Sequence, residues 1–151
     1  MKEIRENLLH FGRQFPAPDG TCYYLGDEGT PWKSYNRETY ATSRMTHVYT
    51  IGKYLGCKDS DRLIDSAVNG LLGAARDKEN GGWYSALTED GGHSENKLCY
   101  AHAFVILAGS GRFLQVIREE KNCWIWLWKP MIVIFGMEKK DYKSRYRLGG
   151  E

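Results

Sequence analysis

No apolar run in the sequence is long enough to span a membrane. The richest stretch, WIWLWKPMIVIFGM, is interrupted by Lys129 and Pro130, and a bilayer core demands ~20 consecutive apolar residues. A secretory leader is not expected either, because the opening MKEIRENLLHFGRQF is amphipathic and charged. Charge of one sign is also lacking. Twenty-one basic side chains stand against nineteen acidic ones, a net charge of +2. That balance gives no footprint for a polyanion, so neither nucleic acid nor a membrane surface is an expected partner. Cysteine is sparse: Cys22, Cys57, Cys99 and Cys123 show no CxxC spacing. We expect free thiols, a cytoplasmic location and no metal site.

What is present suits a soluble helical domain. Charged residues make up 26% and apolar residues 42% of the chain. Aromatics reach 13%, including five Trp and ten Tyr, a load that suits flat sugar faces and ordinary packing alike. Ile4, Leu8, Phe11 and Phe15 recur at helical spacing and predict a helix over 1–15, ended by Pro16 and Pro18. DGTCYYLGDEGTPW reads as a hairpin. A second helix is expected over 37–55, with Ala41, Met45, Val48 and Leu55 as its apolar stripe and Gly52 on the same side. The clearest helix is 60–76, where Leu63, Ile64, Ala67, Val68, Leu71, Leu72 and Ala75 form a wide apolar face behind Asp59 or Ser60 as cap. GGWYSALTEDGG reads as a second hairpin, and 95–111 as a helix carrying Leu98, Ala101, Val105 and Ala108. Residues 20–29, GTCYYLGDEG, resemble residues 82–91, GWYSALTEDG, at an offset of 62. Each precedes a helix. The pattern predicts stacked helix pairs joined by hairpins, with further copies needed to close a core; shared turn residues alone would explain it as well.

Two helices carry candidate chemistry. Tyr40, Arg44, His47 and Ile51 fall on one face, separate from the Ala41/Met45/Val48 stripe. The guanidinium's fixed fork of donors can hold several hydroxyls or stabilise a developing enediolate; an Arg snorkelling at a helix surface fits the pattern equally. On the later helix Lys97, Tyr100, Phe104 and Leu107 share a face. His102 lies nearly opposite Tyr100, among Leu98, Val105 and Ile106, and reads as packing rather than chemistry. The Tyr100 hydroxyl could meet a ligand oxygen or cap a core ring.

RETYATSRMTHVYTIGKYLG, KENGGWYSALTEDG and NKLCYAHAFVILAGS, in this order and spacing, resemble the N-acylglucosamine 2-epimerase family. The resemblance covers roughly residues 5–112. The family comprises sugar epimerases and aldose–ketose isomerases, mannose and sulfoquinovose isomerases among them. It implies an all-α (α/α)6 barrel, a toroid of twelve helices, with short β-hairpins between helices. It implies a small-molecule sugar as partner, and a homodimer is an arrangement open to the full-length family member. The implied chemistry takes the proton from C2 of an aldose and returns it, with histidines as acid and base and no metal or organic cofactor. By motif, Arg44 and Tyr100 match substrate-contacting residues, and Tyr40 falls where aldose–ketose isomerases often carry Trp. The catalytic histidines belong to later helices, so no catalytic residue is assigned here.

Twelve helices of ~12 residues with ~5-residue connections need ~200 residues. We therefore expect 1–112 to be the N-terminal part of an incomplete barrel, inactive alone. Residues 113–151 form an atypical tail, with three Trp in five positions and a Pro inside an apolar run. We expect this tail to be translated out of frame. Shifting the frame by two bases forces Asp at Trp124–Ile125, Glu at Trp128–Lys129 and Gly at Met137–Glu138. Suitable codons over 114–139 then read SGHPGGEELLDMALETYDRYFWDGK, which has the helical period that the tail lacks. The competing functions are a non-catalytic carbohydrate-binding fragment using Arg44, Tyr100 and Trp83, an assembly module, and a glycoside hydrolase. The last needs opposed carboxylates, whereas Asp27, Glu28, Glu89 and Asp90 sit in turns.

Overall fold

The computed structural model describes residues 2–119, with side chains through residue 111. Most of the expected tail, from residue 120 on, lies outside the described residues. The elements are α1 (Lys2–Phe11), a 3-10 turn (Gly12–Gln14), β1 (Tyr24–Leu25), β2 (Pro31–Trp32), β3 (Arg37–Glu38), α2 (Thr39–Tyr54), α3 (Ser60–Leu72), β4 (Ala86–Leu87) and α4 (Cys99–Glu119). The domain is helix-rich, as an all-α fold requires. Helix α2 is its centre and packs on both α3 and α4. Among the described residues no helix is long and apolar enough to cross a membrane.

Helix α3 forms as its pattern predicts. Leu63, Ile64, Ala67 and Leu71 are buried, and they join Phe15, Cys22, Tyr49 and Trp83 in two adjoining apolar clusters; of the rest of the expected face, Val68 is half-buried and Leu72 exposed. Its ends differ from expectation. The helix stops at Leu72, although Ala75 remains buried beyond it. Asp59 holds the N-cap position without a side-chain cap bond and instead pairs with Arg13 at 3.0 Å.

The expected stripe of α2 is not its buried face. Val48 and Leu55 are exposed, and Ala41 and Met45 are only half-buried. The buried positions are Thr39, Thr42, Ser43, Thr46, Tyr49, Thr50 and Gly52. Their chemistry explains the reversal. Ser43, Thr46 and Thr50 each donate a hydroxyl proton to the carbonyl four residues back, at 2.8, 3.1 and 2.9 Å. The polar atom is thereby satisfied within the helix and the small carbon surface faces the neighbours. Short side chains on this face let α3 and α4 approach from both sides. After Tyr54 the chain turns through Gly56, whose φ of +81° suits the left-handed C-terminal position of a helix.

Helix α1 also departs from its reading. It ends at Phe11 and tightens into the 3-10 turn before Pro16, with Phe15 N–H bonded to Gly12 O at 3.2 Å. Phe15 is fully buried, stacked on Tyr49 at 5.7 Å. Ile4 and Leu8, by contrast, are 63% and 67% exposed, and the helix has no buried residue. Helix α4 begins later than expected because the preceding segment is pinned, with Ser85 N–H bonded to Asn96 O at 3.0 Å. Leu98 is consequently exposed, while Ala101, Val105 and Ala108 are buried.

The two hairpin segments differ in their strand pairing but are entered in the same way. The first pairs locally, Tyr24 opposite Trp32 and Leu25 opposite Pro31. In the second, β4 pairs with the distant β3, Arg37 opposite Leu87, and then turns back so that Ser94 N–H reaches Ala86 O at 2.9 Å. Their entries are superimposable in pattern. Tyr23 N–H bonds Phe15 O as Tyr84 N–H bonds Ala75 O. Arg37 pairs with Asp19 at 3.0 Å and lies over the Tyr23 ring; Lys97 pairs with Asp77 at 2.6 Å and lies over the Tyr84 ring. Arg37 and Lys97 stand 60 positions apart, and Asp19 and Asp77 58. The structural repeat therefore runs close to sixty residues, slightly shorter than the glycine alignment suggests. In each copy a cation just before a helix clamps an acidic turn, which fixes where that helix starts.

Candidate functional site

Tyr40 lies in the first turn of α2 and Tyr100 in the first turn of α4, both placed by the clamps just described. Packing of the two helices brings the rings together edge to face, with centroids 5.3 Å apart. Phe104, one turn beyond Tyr100, meets it at 4.9 Å and Tyr40 at 6.3 Å. Arg44, one turn beyond Tyr40, lays its guanidinium over Phe104 at 5.4 Å. Arg44 and Tyr100 are both exposed, Tyr100 by 54%. The result is an accessible aromatic surface with a fixed cation and phenolic hydroxyls at its edge. Such a surface offers apolar area to a flat ring and donors to its substituents.

A further residue enters from the first hairpin. The Tyr24 hydroxyl lies 2.8 Å from that of Tyr40. Burial and this bond push the Tyr24 phenol upward, and the Glu38 carboxyl adds to the effect. Burial also raises Glu38 itself, at the N-cap of α2. Tyr24 was not among the residues singled out from sequence. The run CYYL places Tyr23 and Tyr24 on opposite sides of a strand, but only the pairing with Trp32 decides which side meets α2.

The other candidates part company with this cluster. His47 is half-buried, and its Nδ1 has no hydrogen-bond partner among the described residues. Ile51, on the same face, is exposed. Lys97 does not share the Tyr100 surface; its ammonium is bound to Asp77 and to Gly81 O, both at 2.6 Å. His102 is buried, as its apolar neighbours predict. Its Nε2 accepts from Trp83 N–H at 3.2 Å, and its Nδ1 lies 2.9 Å from Leu98 O. Burial holds its pKa below the usual histidine value, and Lys97 acts in the same direction. Trp83 cannot serve as a ligand platform. Its ring is buried and its Nε1 donates to Leu71 O at 2.7 Å. Cys22 is buried and its thiol pushed up to about 12, whereas Cys99 is exposed. Among the described residues no three His, Cys, Asp or Glu side chains converge on a common point for a metal ion.

Comparison with known proteins places this surface in context. The family profile described as N-acylglucosamine 2-epimerase (GlcNAc 2-epimerase) matches residues 20–135. A D-mannose isomerase of Thermobifida fusca is 32% identical over 104 residues, which cover 68% of this chain and 26% of the relative. A D-mannose isomerase of Pseudomonas cannabina pv. alisalensis is 40% identical over 86 residues, covering 57% of this chain and 20% of the relative. The chain thus spans about a quarter or less of the length of these curated relatives.

Proposed function

The chain belongs to the N-acylglucosamine 2-epimerase family, and from that premise we propose that it forms the sugar-binding front of an isomerase or epimerase acting at C2 of an aldose. The observation that carries this reading is the convergence of Arg44, Tyr40 and Tyr100. These are the motif-matched positions, and they come from two helices onto one accessible aromatic surface. D-mannose is the sugar to try first, since both relatives are named for it.

Removing the proton at C2 of an open-chain aldose places negative charge on an enediolate. A guanidinium held against an aromatic face is suited to that oxygen, because its donors are pre-oriented and need not reorganise. Tyr40 and Tyr100 would orient the chain of hydroxyls through donated and accepted bonds. Proton abstraction and return call for groups titrating near neutrality, such as histidine. His102 does not meet that need, because it is buried against Trp83 with both ring nitrogens engaged. We therefore read the 151-residue chain as binding sugar without turning it over. In this reading the exposed Ile4 and Leu8 of α1 suit contact with further helices of an (α/α)6 toroid, and the frame of residues 113–151 is disturbed.

The test combines binding and turnover on the purified chain. Ligand-observed NMR with D-mannose should show saturable binding, weakened about tenfold by Arg44→Ala, the loss of a hydrogen bond to a charged donor. A ketose assay should show no fructose. Formation of fructose would overturn the inactive reading, and binding indifferent to Arg44→Ala would overturn the site.

A further inference from the structure

Tyr24 meets Tyr40 at the rim of the site, and unlike Tyr40 it lies outside the three segments on which the family resemblance rests. The two hydroxyl oxygens are 2.8 Å apart in a solvent-exposed setting. A hydroxyl–hydroxyl bond open to water contributes little to stability, so folding alone gives weak grounds for placing two phenols there. Between two phenols only one proton lies in the shared bond. The accepting phenol therefore keeps its own proton to donate, and the donating phenol keeps lone pairs to accept. The pair presents one donor and one acceptor side by side.

We propose that Tyr24 is a ligand-contacting residue, and that with Tyr40 it holds a single sugar hydroxyl by one donated and one accepted hydrogen bond. This rests on the sugar-site reading above and deepens it. A sugar hydroxyl is both donor and acceptor, so it closes a ring of three hydroxyls in which each bond polarises the next. An anionic substituent has no proton to give to such a ring. The carboxyl of Glu38, close enough to raise the Tyr24 phenol, also works against a second anion at this place. The pair thus selects a neutral polyol at this end of the ligand, while Arg44, one turn further along α2, supplies the cationic end.

The experiment uses the full 151-residue chain with Tyr24→Phe, Tyr40→Phe, the double variant and Arg44→Ala. D-mannose and its monodeoxy derivatives are titrated by ligand-observed NMR, and thermal melts are recorded in parallel. Each phenylalanine variant should weaken D-mannose about fivefold, the effect of one neutral hydrogen bond, with an unchanged melt. Because the pair acts as a unit, the double variant should lose no more than the larger single loss. One monodeoxy sugar should bind worse than mannose to the wild type and equally well to Tyr24→Phe, which identifies the hydroxyl. Unchanged affinity in Tyr24→Phe, or fully additive losses, overturns the proposal. If Arg44→Ala weakens binding and Tyr24→Phe does not, the pair alone is wrong. If the wild type binds no sugar, or Arg44→Ala has no effect, the site reading falls and the pair falls with it.

Discussion

Replacing Asp77 with asparagine should cost far more stability than the same change at Asp19, although the two carboxylates occupy corresponding places in the repeat. Asp77 Oδ1 accepts from the backbone N–H groups of Glu79 and Asn80, each at 2.9 Å, and Oδ2 accepts from Lys97 Nζ at 2.6 Å. The side chains of Asp77 and Lys97 are only 4% and 13% exposed. Asparagine keeps the shape but removes the countercharge, leaving the ammonium enclosed and facing an amide. Breaking a buried pair from one side costs about 3–5 kcal/mol. The Lys97 stem reaches toward the surface, so the lower figure, about 3 kcal/mol, applies. For a domain of this size that corresponds to a fall of roughly 10 °C in Tm. Arg37 is itself only 9% exposed, but Asp19 is 32% exposed, so water reaches the place where the guanidinium loses its partner and the loss there should be about 1 kcal/mol. Urea melts of both variants measure the difference. The Asn80 N–H and then Lys97 hold the folded Asp77 carboxyl well below its ordinary range. Its contribution is therefore complete above the unfolded value near 3.9 and disappears as pH falls further. The gap between wild type and Asp77→Asn should be level from about pH 5 to 8 and close below about pH 4. Equal costs at Asp77 and Asp19, or a gap that persists at low pH, would refute the burial argument.

Other outcomes follow from the same geometry. His102 is held neutral, so the unfolded chain takes up the proton first. Stability should fall as pH drops through about 6.5, and His102→Gln should flatten that slope in melts at pH 5–8. Gly20 has φ of +85°, and an added Cβ would lie 2.2 Å from Ser66 O and 2.8 Å from Gly70 N. Gly20→Ala should cost about 3 kcal/mol or prevent folding, as read by circular dichroism on expression. Sequencing the coding DNA over residues 114–139 should find third bases that permit the shifted reading; bases that forbid it would end that explanation of the tail.

Helix α3 was legible because its apolar period was strong, although its end was set at 76 and the helix stops at Leu72. The first hairpin was legible because its pairing is local. The buried face of α2 was not, since Thr and Ser count as polar in a pattern, while in the folded helix their hydroxyls are spent on carbonyls one turn back. The Phe15 ring was assigned to the wrong element for a related reason: helical spacing continues past the point where the 3-10 turn redirects the chain. Motif positions pointed to Arg44, Tyr40 and Tyr100, three residues that packing brings onto one surface. They could not exclude Trp83, because an indole in a turn reads the same whether it faces water or Leu71 O.

The amino-acid sequence by itself determined the family, the helical character and the residues worth watching, because these depend on local period and on motif order. Tertiary structure alone decided which of them meet. Tyr24 reaches Tyr40 across sixteen positions, β3 pairs with β4, and Lys97 turns away from Tyr100 to Asp77. Each of these contacts is made by packing between elements distant in the chain, where the choice among faces rests on close fit and charge burial rather than on any pattern along the sequence.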